Sequence, residues 1–239
     1  MITAAVYGQH LGYPVFVVRD AIGSHNLRSW DDKRNVSGSE LVHGFSEWLR
    51  SEGGVGSVDV IYHASFISDG TMRLLEQQKD HVYVVPAINW LYGTLHDAEA
   101  FGSPIAKAEA VGYGRELEIA VAGLKEMYKR GVKILPGGDY GFAWTPHGPI
   151  AHRSLPDQQH FVNLIGMTPM DAILSATALG GEIMLHPHEL GKVQPGYYAD
   201  MIIVDGNPLD DISLLSGHKH IDMVMINGRI HKETYKAGV

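Results

Sequence analysis

The sequence predicts an α/β protein whose main part is built on a parallel sheet. From about residue 58 onward, short apolar runs that suit buried strands alternate with amphipathic helical segments. This alternation is typical of parallel sheets covered by helices, as in α/β barrels and doubly wound folds. Beyond Gly191 the pattern changes to short strands, two of which flank Asn227-Gly228, a strong signal for a tight hairpin. We therefore expect an α/β part followed by a small antiparallel appendage.

The first forty residues fit this pattern poorly. Residues 3–11 predict a helix, and the apolar run 15–18 predicts a buried strand. Residues 19–40 are polar, contain several Gly and Ser, and show no clean period, which indicates a loop or an insertion.

The regular part opens with two strands and a helix between them. Residues 58–63 predict a strand, 71–79 a helix, and 82–88 a second strand that meets Pro86 near its end. This order, strand then helix then strand, is the unit from which a parallel sheet is built.

The next helix is the clearest in the chain. Over residues 115–129 an apolar stripe recurs at helical spacing, and Gly131 stops it. Residues 132–135 then predict a strand that runs into Gly137, Gly138 and Asp139. The stripe consists of Leu117, Val121, Leu124 and Tyr128.

A further helix opens at Thr168, with Pro169 in its first turn and Asp171 near its positive end. After it come the short strands of the appendage, at residues 201–204, 223–226 and 229–230.

Composition narrows the possible functions. The 239 residues contain 19 Lys plus Arg against 27 Asp plus Glu, and the resulting net charge of −8 argues against a nucleic-acid partner. No stretch approaches the roughly 20 apolar residues of a membrane span. Cysteine is absent, so any metal must bind to His, Asp or Glu, and fourteen His supply such ligands. The first basic residue is Arg19, and without the positive start of a secretory signal we expect a cytoplasmic location.

Two polar residues end predicted strands, where parallel α/β folds place their catalytic groups. His63 ends the strand at 58–63, and Asp139 follows the strand at 132–135. Such a pair can hold a divalent metal, lower the pKa of its bound water to about 7, and use the carboxylate to take the proton. The alternative is structural, with His63 a hydrogen-bonded core imidazole and Asp139 a helix cap.

The remaining candidates are weaker. His43 lies 20 positions before His63, a separation that fits one repeat of strand and helix, but the residues before it make a poor strand and an ordinary surface role stays open. The pairs His186-Pro187-His188 and His218-Lys219-His220 lie in turns and are interpreted as solvated loops. No glycine-rich run has the strand-loop-helix setting of a nucleotide site. Candidates for a pocket wall are Asn89, Trp90, Tyr140, Trp144 and His147.

Several segments together resemble the metal-dependent amidohydrolase superfamily, in particular its imidazolonepropionase-like and Xaa-Pro dipeptidase-like members. The similar segments are 58–63, 132–148 around Asp139, 168–173 and 190–204. The last is the most specific, because its Gly191-Lys192, Pro195-Gly196 and Ala199-Asp200 series marks where such chains leave the barrel for a small β domain.

The resemblance implies a (β/α)8 TIM-like barrel, of which this chain has the C-terminal strands and helices, with a small β-sandwich appendage. Residues 1–190 would form the partial barrel, with 15–41 as an insertion or irregular loop, and 191–239 the appendage. A complete barrel needs about 250 residues, and nothing here matches its first four strands.

The resemblance also assigns the site. It implies that His43, His63 and Asp139 bind a divalent metal, zinc before manganese or iron, with Asp139 also the proton shuttle, and that Tyr140, Trp144 and His147 contact substrate. The implied activity is hydrolysis of a C–N bond in a small amide, dipeptide or cyclic amide. The alternative is a catalytically incomplete barrel half, either a pseudoenzyme or a subunit needing a complementary half. Exposed sheet edges in such a half would favour a homo-oligomer.

Overall fold

The computed structural model describes residues 60–102, 104–137, 157–184, 188–217 and 219–234. Strands and helices are interspersed up to residue 183, and a part with an antiparallel sheet and the 3-10 helix Ile212–Leu215 follows. The first part contains β1 (Val60–Tyr62), α1 (Asp69–Gln77), β2 (Tyr83–Val85), α2 (Ile88–His96), α3 (Ile105–Ala110), α4 (Tyr113–Lys129), β3 (Lys133–Ile134), α5 (Asp157–His160), α6 (Pro169–Ala176) and α7 (Ala178–Ile183). The second part contains β4 (Met201–Val204), β5 (Ile221–Ile226) and β6 (Arg229–Glu233).

The first three strands form a parallel sheet in the order β1-β2-β3. Tyr62 pairs with Val85, and Val84 pairs with Ile134, so the three strands end at nearly the same level. The α/β class and the parallel pairing predicted from the sequence are therefore present in the described residues.

Both faces of this sheet are covered. On one face Val84 and Ile134 pack into a core with Leu124 and Met127 of α4 and with Phe161. The other face carries a smaller cluster around Val60, Val85 and Leu135, against which Leu179 and Ile183 of α7 pack. Burial on both faces explains why these strands are continuous apolar runs rather than alternating ones.

Helix α4 follows the predicted stripe closely. It runs from Tyr113 to Lys129, and Leu124 is buried, while Leu117, Val121 and Tyr128 are partly buried against the core. Gly131 adopts φ +77°, the left-handed conformation that glycine adopts without strain, directly after the helix. The helix therefore ends where the sequence predicts.

Helix α6 begins as predicted at Thr168, whose side chain accepts a hydrogen bond from the Asp171 backbone N–H at 3.1 Å. The Thr168 hydroxyl in turn donates to the Asp171 carboxylate at 2.6 Å. Tyr128 of α4 donates to the same carboxylate at 2.5 Å, which ties the two helices together. The hydrogen bond from Thr168 is the main reason why the pKa of Asp171 is lowered, and the bond from Tyr128 lowers it further.

Two sequence predictions are corrected. The strand predicted at 82–88 is only Tyr83–Val85, because Pro86 removes a ladder donor and Ile88 already begins a helix. That helix, Ile88–His96, was not predicted. It is buried nearly all round, since Ile88, Asn89, Leu91, Gly93, Thr94 and Leu95 are all inaccessible, and so it lacks an amphipathic period.

The C-terminal part is a three-stranded antiparallel sheet in the order β4-β5-β6. Asn227-Gly228 forms the predicted turn between β5 and β6, with both residues at positive φ. Of its strand residues only Ile221 is buried, whereas Ile203 and Ile230 remain about half exposed. The second layer that a β-sandwich requires stays a prediction.

Close backbone contact fixes how the antiparallel part joins the helices. A side chain at Gly181 would overlap the Leu190 carbonyl, and one at Gly191 would overlap the Thr177 carbonyl. Both positions therefore require glycine. No helix within the described ranges is long and apolar enough to cross a membrane.

Candidate active site

The carboxyl ends of β1, β2 and β3 lie together at one end of the parallel sheet, which is called the carboxyl edge below. The pairing of Tyr62 with Val85 brings His63 and Pro86 to the same level, one residue beyond the paired strands. In parallel α/β folds this edge carries the catalytic groups. We therefore take it as the candidate active site.

His63 is fixed at this edge by its backbone. Its N–H donates to the Val85 carbonyl at 2.9 Å, so the ladder between β1 and β2 extends one residue past the strand. His63 and Ala64 both adopt left-handed conformations, with φ of +65° and +56°. Positive φ is uncommon for residues other than glycine, and such strain is often found at functional sites. The turn directs the chain away from the sheet directly after the imidazole.

Strand β3 runs toward the same edge. The Leu135 N–H donates to the Val84 carbonyl at 2.9 Å, and the chain continues through Pro136 to Gly137. A side chain at Gly137 would overlap the Val85 side chain, so only glycine fits against β2 there. His63 and the exit of β3 are separated by two strand spacings, about 10 Å. Gly137, the last described residue before the gap, thus lies at the same end of the sheet as His63, two positions before Asp139 in the sequence.

The other predicted site residues are not placed by the structure. Within the described ranges no group of three or more His, Asp or Glu side chains converges in a way that could hold a metal. Of the predicted metal ligands only His63 lies in those ranges, and it is partly buried. Predicted residues that lie outside them are His43, Asp139, Tyr140, Trp144 and His147. Their roles stay predictions.

The two His-x-His pairs lie partly outside the described ranges as well. His188 is exposed and His220 is partly exposed, while His186 and His218 fall in the gaps. The described members neither contradict nor test the interpretation of these pairs as solvated loops.

A buried polar pair that the sequence did not reveal lies just behind the edge. Asn89 follows β2 at the start of α2, and His160 ends the short helix α5. The His160 Nε2 atom lies 3.0 Å from Asn89 Oδ1, and the two residues are only 2% and 1% exposed. Because an amide oxygen only accepts, His160 Nε2–H is the donor.

Burial keeps the His160 imidazole neutral. The pKa of His160 is lowered to about 4, mainly because burial removes the ring from water and secondly because His96 is near. The Tyr92 ring lies against the imidazole, with centroids 4.5 Å apart, and His96 lies beyond it at 4.3 Å from Tyr92. A π-helical turn, Phe161–Ile165, follows His160 directly. Such turns occur frequently at functional sites. No motif contains His160, so no sequence signal pointed to it.

Trp90, a predicted pocket residue, is partly exposed next to Asn89. Its ring meets Tyr113 edge-on, with the centroids 5.1 Å apart and the planes at 77°. This contact joins the start of α2 to the start of α4. Asn89 itself is buried against His160, and its role as a pocket residue stays a prediction.

The opposite end of the sheet carries a different polar cluster. Lys133 Nζ, at the start of β3, lies 3.0 Å from Glu182 and 3.2 Å from the Tyr83 hydroxyl, which donates to Glu182 at 2.9 Å. In α/β barrels this end serves stability rather than catalysis. We therefore assign these three residues to the attachment of α7.

A family model establishes the class of protein. The amidohydrolase family model matches residues 36–231, so the chain belongs to the amidohydrolase family. Amidohydrolases among its structural neighbours have a TIM-barrel fold, which agrees with the parallel α/β part described above.

Relatives agree with this assignment. Ochratoxinase of Aspergillus niger is 35% identical over 106 residues, which cover 44% of this chain and 20% of that protein. Imidazolonepropionase of Geobacillus thermodenitrificans is 26% identical over 249 residues, 92% of this chain and 57% of that protein. The crystal structure of a prolidase complexed with N-methylphosphonate-L-proline superposes with a TM-score of 0.64 at 21% identity, over 81% of this chain and 43% of that one. The matched residues thus span between about one-fifth and three-fifths of the length of these relatives.

Proposed function

We propose that this chain provides the catalytic edge of a metal-dependent hydrolase that cleaves a C–N bond in an amide, peptide or cyclic amide. One observation carries the proposal. His63 follows β1 at the carboxyl edge of the sheet, and β3 ends at that same edge, five residues before Asp139 in the sequence.

The proposed ligands fit a divalent metal by their chemistry. The imidazoles of His63 and His43 and the carboxylate of Asp139 would hold it, and such nitrogen and oxygen donors suit zinc, manganese or iron. When bound, the metal would supply a lowered pKa for a coordinated water and polarisation of the scissile carbonyl.

The protein groups would move the proton and orient the substrate. Asp139 would take the proton from the attacking water and give it to the leaving nitrogen, which departs as a neutral amine. Tyr140, Trp144 and His147 follow Asp139 in sequence and would line the substrate pocket. The buried pair of Asn89 and His160 would keep α2 and α5 fixed behind it.

The relatives support the substrate class. Ochratoxinase, imidazolonepropionase and prolidase are all names of enzymes that hydrolyse a C–N bond in a small molecule or dipeptide. We therefore expect a small amide or dipeptide substrate, with no nucleic-acid or membrane partner.

A second proposal is favoured by length. The chain covers only 57% of imidazolonepropionase and 20% of ochratoxinase. On this view the chain is catalytically incomplete and needs a complementary half.

Metal analysis of the purified full chain separates the two proposals. The hydrolase proposal expects about one zinc, manganese or iron per chain, lost in His63→Ala and in Asp139→Ala. The matched control is His81→Ala, since His81 is exposed and lies before β2, at the opposite end of the sheet. Metal that survives both site substitutions would contradict the proposed ligands. A chain that binds no metal, and whose thermal midpoint is unchanged by added metal, would support the incomplete half.

Activity is tested on a panel of Xaa-Pro dipeptides, N-acyl amino acids and imidazolones with added zinc or manganese. One of these substrate classes should be hydrolysed by the unmodified chain. If Asp139→Ala abolishes this activity even when excess metal restores its metal content, the result supports the proton-transfer role of Asp139.

A further inference from the structure

An open groove with mostly apolar lining residues lies along helix α4. It has a volume of ≈ 380 Å³, and most of its lining surface is carbon. Its floor continues the core, since three of its side chains pack against the core from outside. The lining residues are Leu117, Glu118, Val121, Ala122, Lys125 and Leu164.

Five of the six lining residues come from one face of a single helix. An α-helix turns by about 100° per residue, so the residues one, four, five and eight positions after Leu117 lie on the same side of the helix as Leu117. The buried residues of α4 are Ala120, Leu124 and Met127, and Leu117 and Val121 pack beside them at the border of the core. The groove therefore runs along the exposed border of the core-facing stripe, and Leu164 from the π-helical turn extends it.

Charges on this face are arranged symmetrically. Glu118 lies three positions before Val121, and Lys125 lies three positions after Ala122. If a second copy packs against α4 in the antiparallel direction, with the two-fold axis between Val121 and Ala122, Glu118 of each copy meets Lys125 of the other. The interface is then isologous, with two opposite-charge pairs around an apolar centre. The small side chain of Ala122 at the axis allows the two helices to approach closely.

Both charges are available for such pairing. Glu118 and Lys125 are exposed, and within the described ranges neither makes an ion pair. The neighbouring charges of the helix end differ, because Arg130 is held by Glu126 at 2.7 Å and by Glu76 at 2.8 Å.

We propose that α4 is a self-association surface, at which two copies of this chain pack their Val121 and Ala122 side chains against each other in the antiparallel direction and exchange Glu118–Lys125 ion pairs. The groove is small, so the dimer forms in a concentration-dependent manner, as weak interfaces do. This inference does not depend on the proposed catalytic activity.

Sedimentation velocity of the full chain over a range of concentrations tests the proposal. The unmodified chain should shift from monomer to dimer as concentration rises. Glu118→Lys and Lys125→Glu should each weaken dimerisation about tenfold or more, because each turns two attractive pairs into two repulsive pairs. Lys107→Glu, an exposed charge reversal on α3, is the matched control and should dimerise like the unmodified chain.

Mixing the two single variants gives the decisive result. In a heterodimer of Glu118→Lys with Lys125→Glu, both cross-helix pairs are again of opposite charge, so the equimolar mixture should dimerise more strongly than either variant alone. Circular dichroism checks that both variants are folded. A chain that is monomeric at every concentration, single variants that dimerise normally, or a mixture that fails to recover dimer would each overturn the proposal.

Discussion

At the scale of the residue, His160 shows how burial determines chemistry. An imidazole with an ordinary pKa of 6.5 is about half protonated at that pH, but desolvation and the nearby His96 lower the pKa of His160 to about 4. The ring is therefore neutral at pH 7 and donates through Nε2 to Asn89. The pair satisfies two buried polar groups at once, which avoids the cost of leaving either without a hydrogen bond.

This lowered pKa predicts acid sensitivity. Below pH 6.5 the unfolded chain binds a proton at His160 while the folded chain does not, so stability falls as the pH drops from 6.5 toward 4. The full effect is about 3 kcal/mol, from 1.36 kcal/mol for each pKa unit between 6.5 and 4. Urea unfolding of the unmodified chain and of His160→Gln across this pH range measures it. Glutamine keeps a donor for Asn89 but does not titrate.

The difference between the two unfolding curves isolates His160, because both proteins share all other titrating groups. His231→Gln, at an exposed position on β6, serves as the control and should leave the pH dependence unchanged. Parallel pH profiles for the unmodified chain and His160→Gln would show that His160 is not desolvated as described.

At the scale of the element, helix α7 is held to the parallel sheet by the cluster of Lys133, Glu182 and Tyr83. The Lys133 side chain is 24% exposed, and its ammonium also lies 4.7 Å from the centroid of the Tyr83 ring. The hydrogen bond from Lys133 is the main reason why the pKa of Glu182 is lowered. A partly buried, charge-assisted bond of this kind contributes more than a surface ion pair.

We expect Glu182→Gln to cost about 1 kcal/mol at neutral pH, because Lys133 loses its counter-ion while staying partly buried. Since the pKa of Glu182 is lowered by folding, its contribution is present at neutral pH and is lost as the pH falls through the folded value. Urea unfolding at neutral and at acidic pH should therefore show a difference that disappears in acid. Glu233→Gln on β6 is the exposed control, with an expected change below about 0.5 kcal/mol. Equal losses in both variants would argue against the cluster.

The sequence predicted elements with a strong local signal. Helix α4 has its stripe at Leu117, Val121 and Leu124, and the β5–β6 hairpin has Asn227-Gly228. Helix α2 has no such signal, because it is apolar on several sides and follows Pro86 without a gap. Its type was decided by tertiary packing, which periodicity does not report.

The candidate site, like the fold, could be predicted only where a residue follows from a local pattern. His63 could be located because it ends a strand, and parallel strands align their ends at one edge. The pairing of Asn89 with His160 could not, because 71 positions separate the two residues and neither belongs to a motif. Their contact depends on how α2 and α5 pack, which only the folded chain determines.

At the scale of the whole molecule, burial is unevenly distributed. Val84, Leu124, Met127 and Phe161 are at most 1% exposed and form one core around the parallel sheet. In the antiparallel sheet only Ile221 among the strand residues is buried. Because hydrophobic burial is the main stabilising term in folding, the two sheets should differ in local stability.

Native-state hydrogen exchange tests this difference. We expect amides of β4–β6 to exchange through a partial opening with a lower free energy than amides of β2 and α4, which require global unfolding. Val84→Ala should then lower the free energy of exchange for β2 and α4 by about 2 kcal/mol. It should leave β4–β6 unchanged, because the substitution destabilises the native and the partly open state equally. Ile221→Ala should lower the free energy of exchange of both groups of amides by the same amount, since it affects only the native state.

If Val84→Ala instead lowers protection equally in both sheets, the chain unfolds as one cooperative unit, and the uneven burial has no dynamic consequence.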